Sequence, residues 1–300
     1  AAPATLMSYA LIGWFFGMQN SIYPLIWVLV VNGVNILLSF YFVYILDMGI
    51  IGVAYGTLLA QYLGVLVGIG LFLMKYRDLL PVLPLEQLFD WEAFSRFLRI
   101  NRDIFLRTLL LTLSFAIFYN RSSASGSLIL AVNVILLQFV NWMSYGIDGF
   151  AYASESLVGK YFGAGDRVKF DRSVRLTFFW GMGMALVYGL AYLLFGGTLL
   201  RIFTNQSDVI LAAAEFLVWL ALFPLLSTPC YLFDGIYIGL TASAAMRNSM
   251  MLAFGLFLVL VLTVGATWGN HGLWASLLVF MVARGTFQGV LFRIYGWGLK

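Results

Sequence analysis

Nine long apolar stretches, approximately 4–20, 24–46, 50–74, 103–119, 127–158, 173–196, 209–240, 249–268 and 273–293, constrain this chain more than any other feature. A helix rises 1.5 Å per residue, so roughly 20 mostly apolar residues cross a bilayer. Each stretch reaches or approaches that length except the first, which is cut by the start of the chain. Charged residues are 10% of the sequence, against about 25% in a soluble domain. The expected fold class is an all-α, polytopic membrane protein with the lipid bilayer as its solvent.

The basic residues set the orientation. Lys75, Arg77, Arg96, Arg99, Arg102, Lys160, Arg167, Lys169, Arg172, Arg175, Arg247, Arg293 and Lys300 fall on one side of nine alternating spans, and Arg121 and Arg201 on the other. The positive-inside rule puts the rich side, with the C-terminus, in the cytoplasm. The loops Asp47–Gly49, Asn120–Ser127, Thr204–Asp208 and Trp268–Gly272 then face out. Residues 75–99 carry Pro81 and Pro84, then Leu85, Leu88, Phe89, Phe94, Phe97 and Leu98 among Glu86, Asp90, Glu92, Arg96 and Arg99. Such an amphipathic stretch is expected to lie along the inner membrane surface and to link two bundles.

An internal repeat joins the first three segments to the last three. Pro3 matches Pro224, Gly13, Gly17 and Ser21 match Gly235, Gly239 and Ser243, and Ala54 and Gly64 match Ala275 and Gly285. The copies run in the same direction, as in transporters built from two similar halves. Six spans follow the linker and three precede it, so the repeat implies a parent of twelve spans with three before Ala1. The expected division is 1–76 for the rest of an N-terminal lobe, 77–98 for the linker and 99–300 for a six-helix C-terminal lobe.

Polar residues inside the apolar stretches mark where chemistry is expected. In the fifth, Gln138, Asn141, Tyr145, Asp148, Tyr152 and Glu155 are spaced 3, 4, 3, 4 and 3, which puts them on one helix face. Charge in hydrocarbon costs about 2.5–3.5 kcal/mol per residue even on the lenient insertion scale. The stripe should therefore face a bundle interior or a wet cleft. The seventh carries Asp234 after Pro224 and Pro229, which favour bending. Asp148, Asp234 and Glu155 are candidates for coupling or cation binding. Gln138, Asn141, Tyr145, Tyr152, Asn32, Asn35, Asn133 and Arg284 are candidates for the substrate cleft, with helix packing the competing role for the asparagines. Asp103 and Arg107, four residues apart, are expected to form a local ion pair. Gly64 and Gly68 should mark close helix packing, and Cys230 a small packing residue. Glu215 should be solvated near the outer end of its segment, and His271 a surface residue of an outer loop.

The composition argues against other classes. One His, one Cys and no Gly-x-Ser-x-Gly or His-Glu-x-x-His pattern leave no enzyme motif and no metal set. Gly163-Ala164-Gly165-Asp166 lacks the Lys-Ser/Thr ending of a nucleotide loop, and no basic cluster offers a nucleic-acid footprint. Secondary transport without a cofactor remains.

Several motifs resemble those of multidrug and toxic compound extrusion (MATE) transporters. Asp148-Gly149-Phe150-Ala151-Tyr152-Ala153, with Glu155, Gly159 and Gly163-Ala164-Gly165-Asp166, looks like the eighth helix and its loop. Leu98 to Thr108 resembles the start of the seventh helix in the DinF-like bacterial subgroup, and Gly13 to Asn20 the fourth helix. Tyr231 to Gly235, followed by Met246-Arg247-Asn248-Ser249, resembles the tenth helix and its exit. The resemblance covers essentially the whole chain. It implies two six-helix lobes around a cleft and export, by a monomer of the bacterial inner membrane, of amphipathic or cationic drugs against H⁺ or Na⁺. Asp234 matches the tenth-helix acid of the sodium-type branch, but that branch's seventh-helix acid has no counterpart between Ile104 and Tyr119. H⁺ is therefore the expected ion and Na⁺ the alternative. Two other readings stand beside this one: a lipid-linked oligosaccharide flippase of the same superfamily, and a non-transporting scaffold or channel.

Overall fold

The computed structural model describes residues 1–79 and 90–296, which form helices with no strand among them. Pro81, Pro84, Leu85, Glu86, Leu88 and Phe89 of the expected surface linker lie outside the described residues, as does Lys300. The chain divides into two compact units, Ala1–Asp90 and Trp91–Lys300.

The first unit holds α1 (Ala2–Gly17), α2 (Ile22–Phe40, continued by a π turn at Tyr41–Ile45) and α3 (Gly49–Tyr76). Gly52, Gly56, Ala60, Gly64 and Gly68 recur every fourth residue on the buried face of α3. A residue every fourth position stays on one side of a helix, and small side chains there let backbones approach. The Gly64 carbonyl accepts a 2.8 Å hydrogen bond from the Trp27 indole of α2, and a Cβ at Gly64 would stand 2.4 Å from a Val31 methyl. At the far end of this unit, Asn20 donates to the Tyr76 hydroxyl at 3.1 Å.

The second unit holds α4 (Trp91–Ala124), α5 (Ser127–Gly163), α6 (Arg167–Phe203), α7 (Ser207–Ala214), α8 (Leu217–Gly239), α9 (Ser243–Thr267) and α10 (Gly269–Tyr295). Helix α8 packs on α5, α6 and α10, while α9 packs on α10 and α4. The core between them is aromatic and aliphatic, with Phe118, Leu136, Met143, Phe223, Phe257, Trp274 and Phe280 fully buried. Along the α5–α8 seam the backbones nearly touch. A Cβ on Gly235 would lie 2.2 Å from the Ala151 carbonyl oxygen, and one on Gly239 2.6 Å from that of Glu155.

Three elements differ from the sequence expectation. Among the described residues eight helices are long and apolar enough to cross a membrane: α2 with its π turn, α3 to α6, and α8 to α10. Helix α1, at 16 residues, rises only about 24 Å. The seventh apolar stretch is two helices, because the chain turns at Glu215 and Phe216 with the ring of Phe216 buried and Glu215 exposed. The amphipathic residues Phe94, Phe97 and Leu98 belong to the first turns of α4, which runs unbroken from Trp91 to Ala124.

The turn Gly163–Asp166 is a helix cap rather than a phosphate loop. Gly165 takes φ +71°, open to glycine without steric cost. Asp166 then accepts the Lys169 amide at 3.0 Å and its ammonium at 2.9 Å. The hydrogen bond from the Lys169 side chain, helped by its amide, holds the Asp166 carboxyl below the usual carboxylate range.

Candidate functional site

The polar stripe of α5 lies on the side of the helix that other side chains leave uncovered. Gln138, Asn141, Tyr145 and Tyr152 are exposed, Tyr145 by 73%, and Asp148 and Glu155 are half-buried. Leu136, Val140, Met143, Ile147, Ala151 and Val158, on the other side, are buried. Asp148 makes no hydrogen bond or ion pair among the described residues, yet lies within electrostatic reach of Asp234 and Arg107.

Asp234 is 7% exposed and fully engaged. Its Oδ2 accepts from Arg107 of α4 and, at 2.9 Å, from Arg284 of α10. Its Oδ1 accepts from the Gln288 amide of α10 at 2.6 Å. Arg284 is 1% exposed and also meets the Met281 sulfur at 3.3 Å and the Phe280 ring at 5.6 Å. A carboxylate removed from water is stable only with its charge balanced and its lone pairs bonded, and this set supplies both. The helix runs through Pro224 and Pro229 as one element, bringing Asp234 opposite Arg284 and Gln288, which sit one turn apart on α10.

The expected local pair between Asp103 and Arg107 does not form. Arg107 reaches Asp234, while Asp103 is held by Arg247 of α9, by Arg102 at 3.2 Å and by Ser243 at 3.3 Å. An exposed i,i+4 pair contributes only about 0.2–0.5 kcal/mol, less than leaving a buried carboxylate unpaired would cost.

The remaining candidates are dispersed. Asn133 is fully buried, where α5 meets α4 and α10. It donates to Ser122 and Asn270 at 2.7 Å and accepts from Trp274 at 2.8 Å. Asn35 donates to Thr57 of α3 at 3.1 Å, and Asn32 bonds back to the Val28 carbonyl of its own helix at 3.0 Å. His271 is exposed, but in the first turn of α10, where its Nδ1 accepts from the Trp219 indole at 3.0 Å and its ring packs on Phe216. Sequence reasoning missed Gln288 and the reach of Arg107. The signals available were the one-turn spacing of Arg284 and Gln288, and an arginine inside an apolar stretch. Among the described residues no three His, Cys, Asp or Glu side chains gather as a metal-ligand set.

These helices, with buried charge at the centre of the second unit, define a polytopic membrane protein of the MATE transporter fold. A Vibrio cholerae MATE transporter superposes with a TM-score of 0.84 at 18% identity, covering 98% of this chain and 67% of that one. The MATE transporter ClbM in complex with Rb⁺ superposes at 0.82 with 15% identity, covering 98% and 67%.

The chain belongs to the MatE family, whose sequence pattern matches residues 104–265. It is 35% identical to DNA damage-inducible protein F of Escherichia coli (strain K12) over 98% of its own length and 64% of that protein's. It is 27% identical to Protein DETOXIFICATION 43 of Arabidopsis thaliana over 94% of its length and 53% of the relative's. The chain thus spans between half and two thirds of these curated relatives.

Proposed function

We propose that the full-length protein is a secondary active multidrug efflux transporter of a bacterial inner membrane. It exchanges H⁺ for amphipathic or cationic compounds by alternating access between two six-helix lobes. The present chain would supply nine of twelve helices, with 1–76 completing the N-terminal lobe, 77–98 linking, 99–300 forming the C-terminal lobe, and the C-terminus in the cytoplasm. Family membership supports transport. The observation that carries the coupling assignment is the contrast between two acids: Asp234 is saturated by Arg107, Arg284 and Gln288, whereas Asp148 is half-buried and unpaired among the described residues.

In this reading Asp148 exchanges the proton, with Glu155 on the same face as a second carboxylate. A lipophilic cation would dock along Gln138, Asn141, Tyr145 and Tyr152 by cation–π attraction and apolar contact, and a proton on Asp148 would remove its counter-charge. The test is proton flux in everted vesicles carrying the full-length protein, with ethidium added to a pre-formed pH gradient. Protein-dependent dissipation that Asp148→Asn largely abolishes at equal expression is the expected result. Undiminished flux in that variant contradicts the assignment.

A further inference from the structure

We propose that Arg107 is an ion-selectivity residue: its guanidinium is a tethered cation occupying the place beside Asp234 where a free alkali cation would bind. The inference rests on the chain being an ion-coupled transporter, but its test reads binding, not transport.

The geometry argues this from the acceptor outward. Hard monovalent and divalent cations are held by oxygen atoms freed of other partners. At Asp234 neither carboxylate oxygen is free: Oδ2 meets Arg107 and Arg284, and Oδ1 meets Gln288. The charge is filled as well. Two guanidinium groups face one carboxylate, an excess of one positive charge that an ionised Asp148 cancels.

The two arginines are not equivalent. Arg284 is sealed, its side chain 2% exposed and backed by Met281 and Phe280. The Arg107 side chain is 20% exposed, and its buried Nε has no hydrogen-bond partner among the described residues. Arg107 is therefore the less completely held of the two. Its removal would leave a set one cation short: the Asp234 carboxylate and the Gln288 Oε1, which is buried without a partner, with the Asp148 charge within electrostatic reach. With Asp148 ionised, that set carries one net negative charge against Arg284.

The experiment measures ²²Na⁺ binding to the purified full-length protein, with choline balancing ionic strength. The quantity read is the part of the binding that Asp234→Asn abolishes. Wild type should show none, Arg107→Gln a saturable component, and Arg107→Lys, which keeps a tethered charge, none. A component in wild type that Asp234→Asn removes overturns the proposal, as does its absence from folded Arg107→Gln. If Asp234→Asn does not fold, the contrast between Arg107→Gln and Arg107→Lys is the reading: equal binding overturns the proposal and an excess in Arg107→Gln supports it. Failure of drug/H⁺ exchange alone leaves this binding result standing, so the two readings fail separately.

Discussion

Helix α3 of the first unit lays Gly52, Gly56, Ala60, Gly64 and Gly68 against its neighbours, and the closest contacts these glycines make are largely with side chains. The second unit buries Asp234, Arg284, Gln288 and Asn133 between α4, α5, α8 and α10, and where Gly235 and Gly239 of α8 meet α5 the approach is backbone against backbone. The first arrangement depends on the absence of side chains. The second depends on specific polar partners across helices far apart in sequence, the kind of arrangement that a single lost partner damages most. Buried charge is costly in a bilayer and marks function by default. The unit that carries it is also the one bearing the exposed polar face of α5.

The two units should differ most at Asp234. Asp234→Ala leaves Arg107 and Arg284 without their carboxylate and should cost about 3–5 kcal/mol, read as a large fall in thermal unfolding temperature. Asn35→Leu, at the Thr57 hydrogen bond of the first unit, should cost about 1 kcal/mol or less. Equal losses would erase the distinction between the units.

Glycine substitutions sharpen it. Gly235→Ala meets the Ala151 carbonyl, which only a shift of two helices can relieve, whereas Gly64→Ala meets side-chain atoms of Val31 and Trp27 rather than backbone. Overpacking costs typically about 1–3 kcal/mol, and Gly235→Ala should sit at the top of that range with Gly64→Ala below it in the same unfolding assay. Asn133→Leu should cost about 1–3 kcal/mol by leaving Asn270 and Trp274 without an acceptor.

The smallest effect is at Asp166. Its carboxyl titrates below its unfolded value, so its stabilising contribution is present above the ordinary carboxylate pKa and is lost as pH falls through the depressed one. Asp166→Asn should lower the neutral plateau of a stability–pH curve slightly and leave stability below the depressed pKa near wild type, so that the acid limb is shallower.

Eight of the nine apolar stretches hold a helix long enough to cross, legible because hydrophobic length is a local property, and the α5 stripe was legible because a 3–4 spacing marks one face whatever the helix packs against. The partner of Asp234 was not, since Arg107 lies 127 residues away and local spacing pointed instead to Asp103. Asn133 looked like a cleft residue because periodicity gives its position on α5 but not that α4 and α10 close over it. The break at Glu215–Phe216 carries no proline or glycine, so a continuous apolar run concealed two helices.

The most direct test of the account is a double-mutant cycle on thermal unfolding of the full-length protein, using Arg107→Met, Asp234→Asn and the pair. If the two side chains hold one another, the penalties are strongly non-additive, with a coupling of about 1–3 kcal/mol and the double variant more stable than the sum of the singles implies. Additivity to within about 0.5 kcal/mol would mean that Arg107 and Asp234 act independently, and would contradict both the cluster and the selectivity drawn from it.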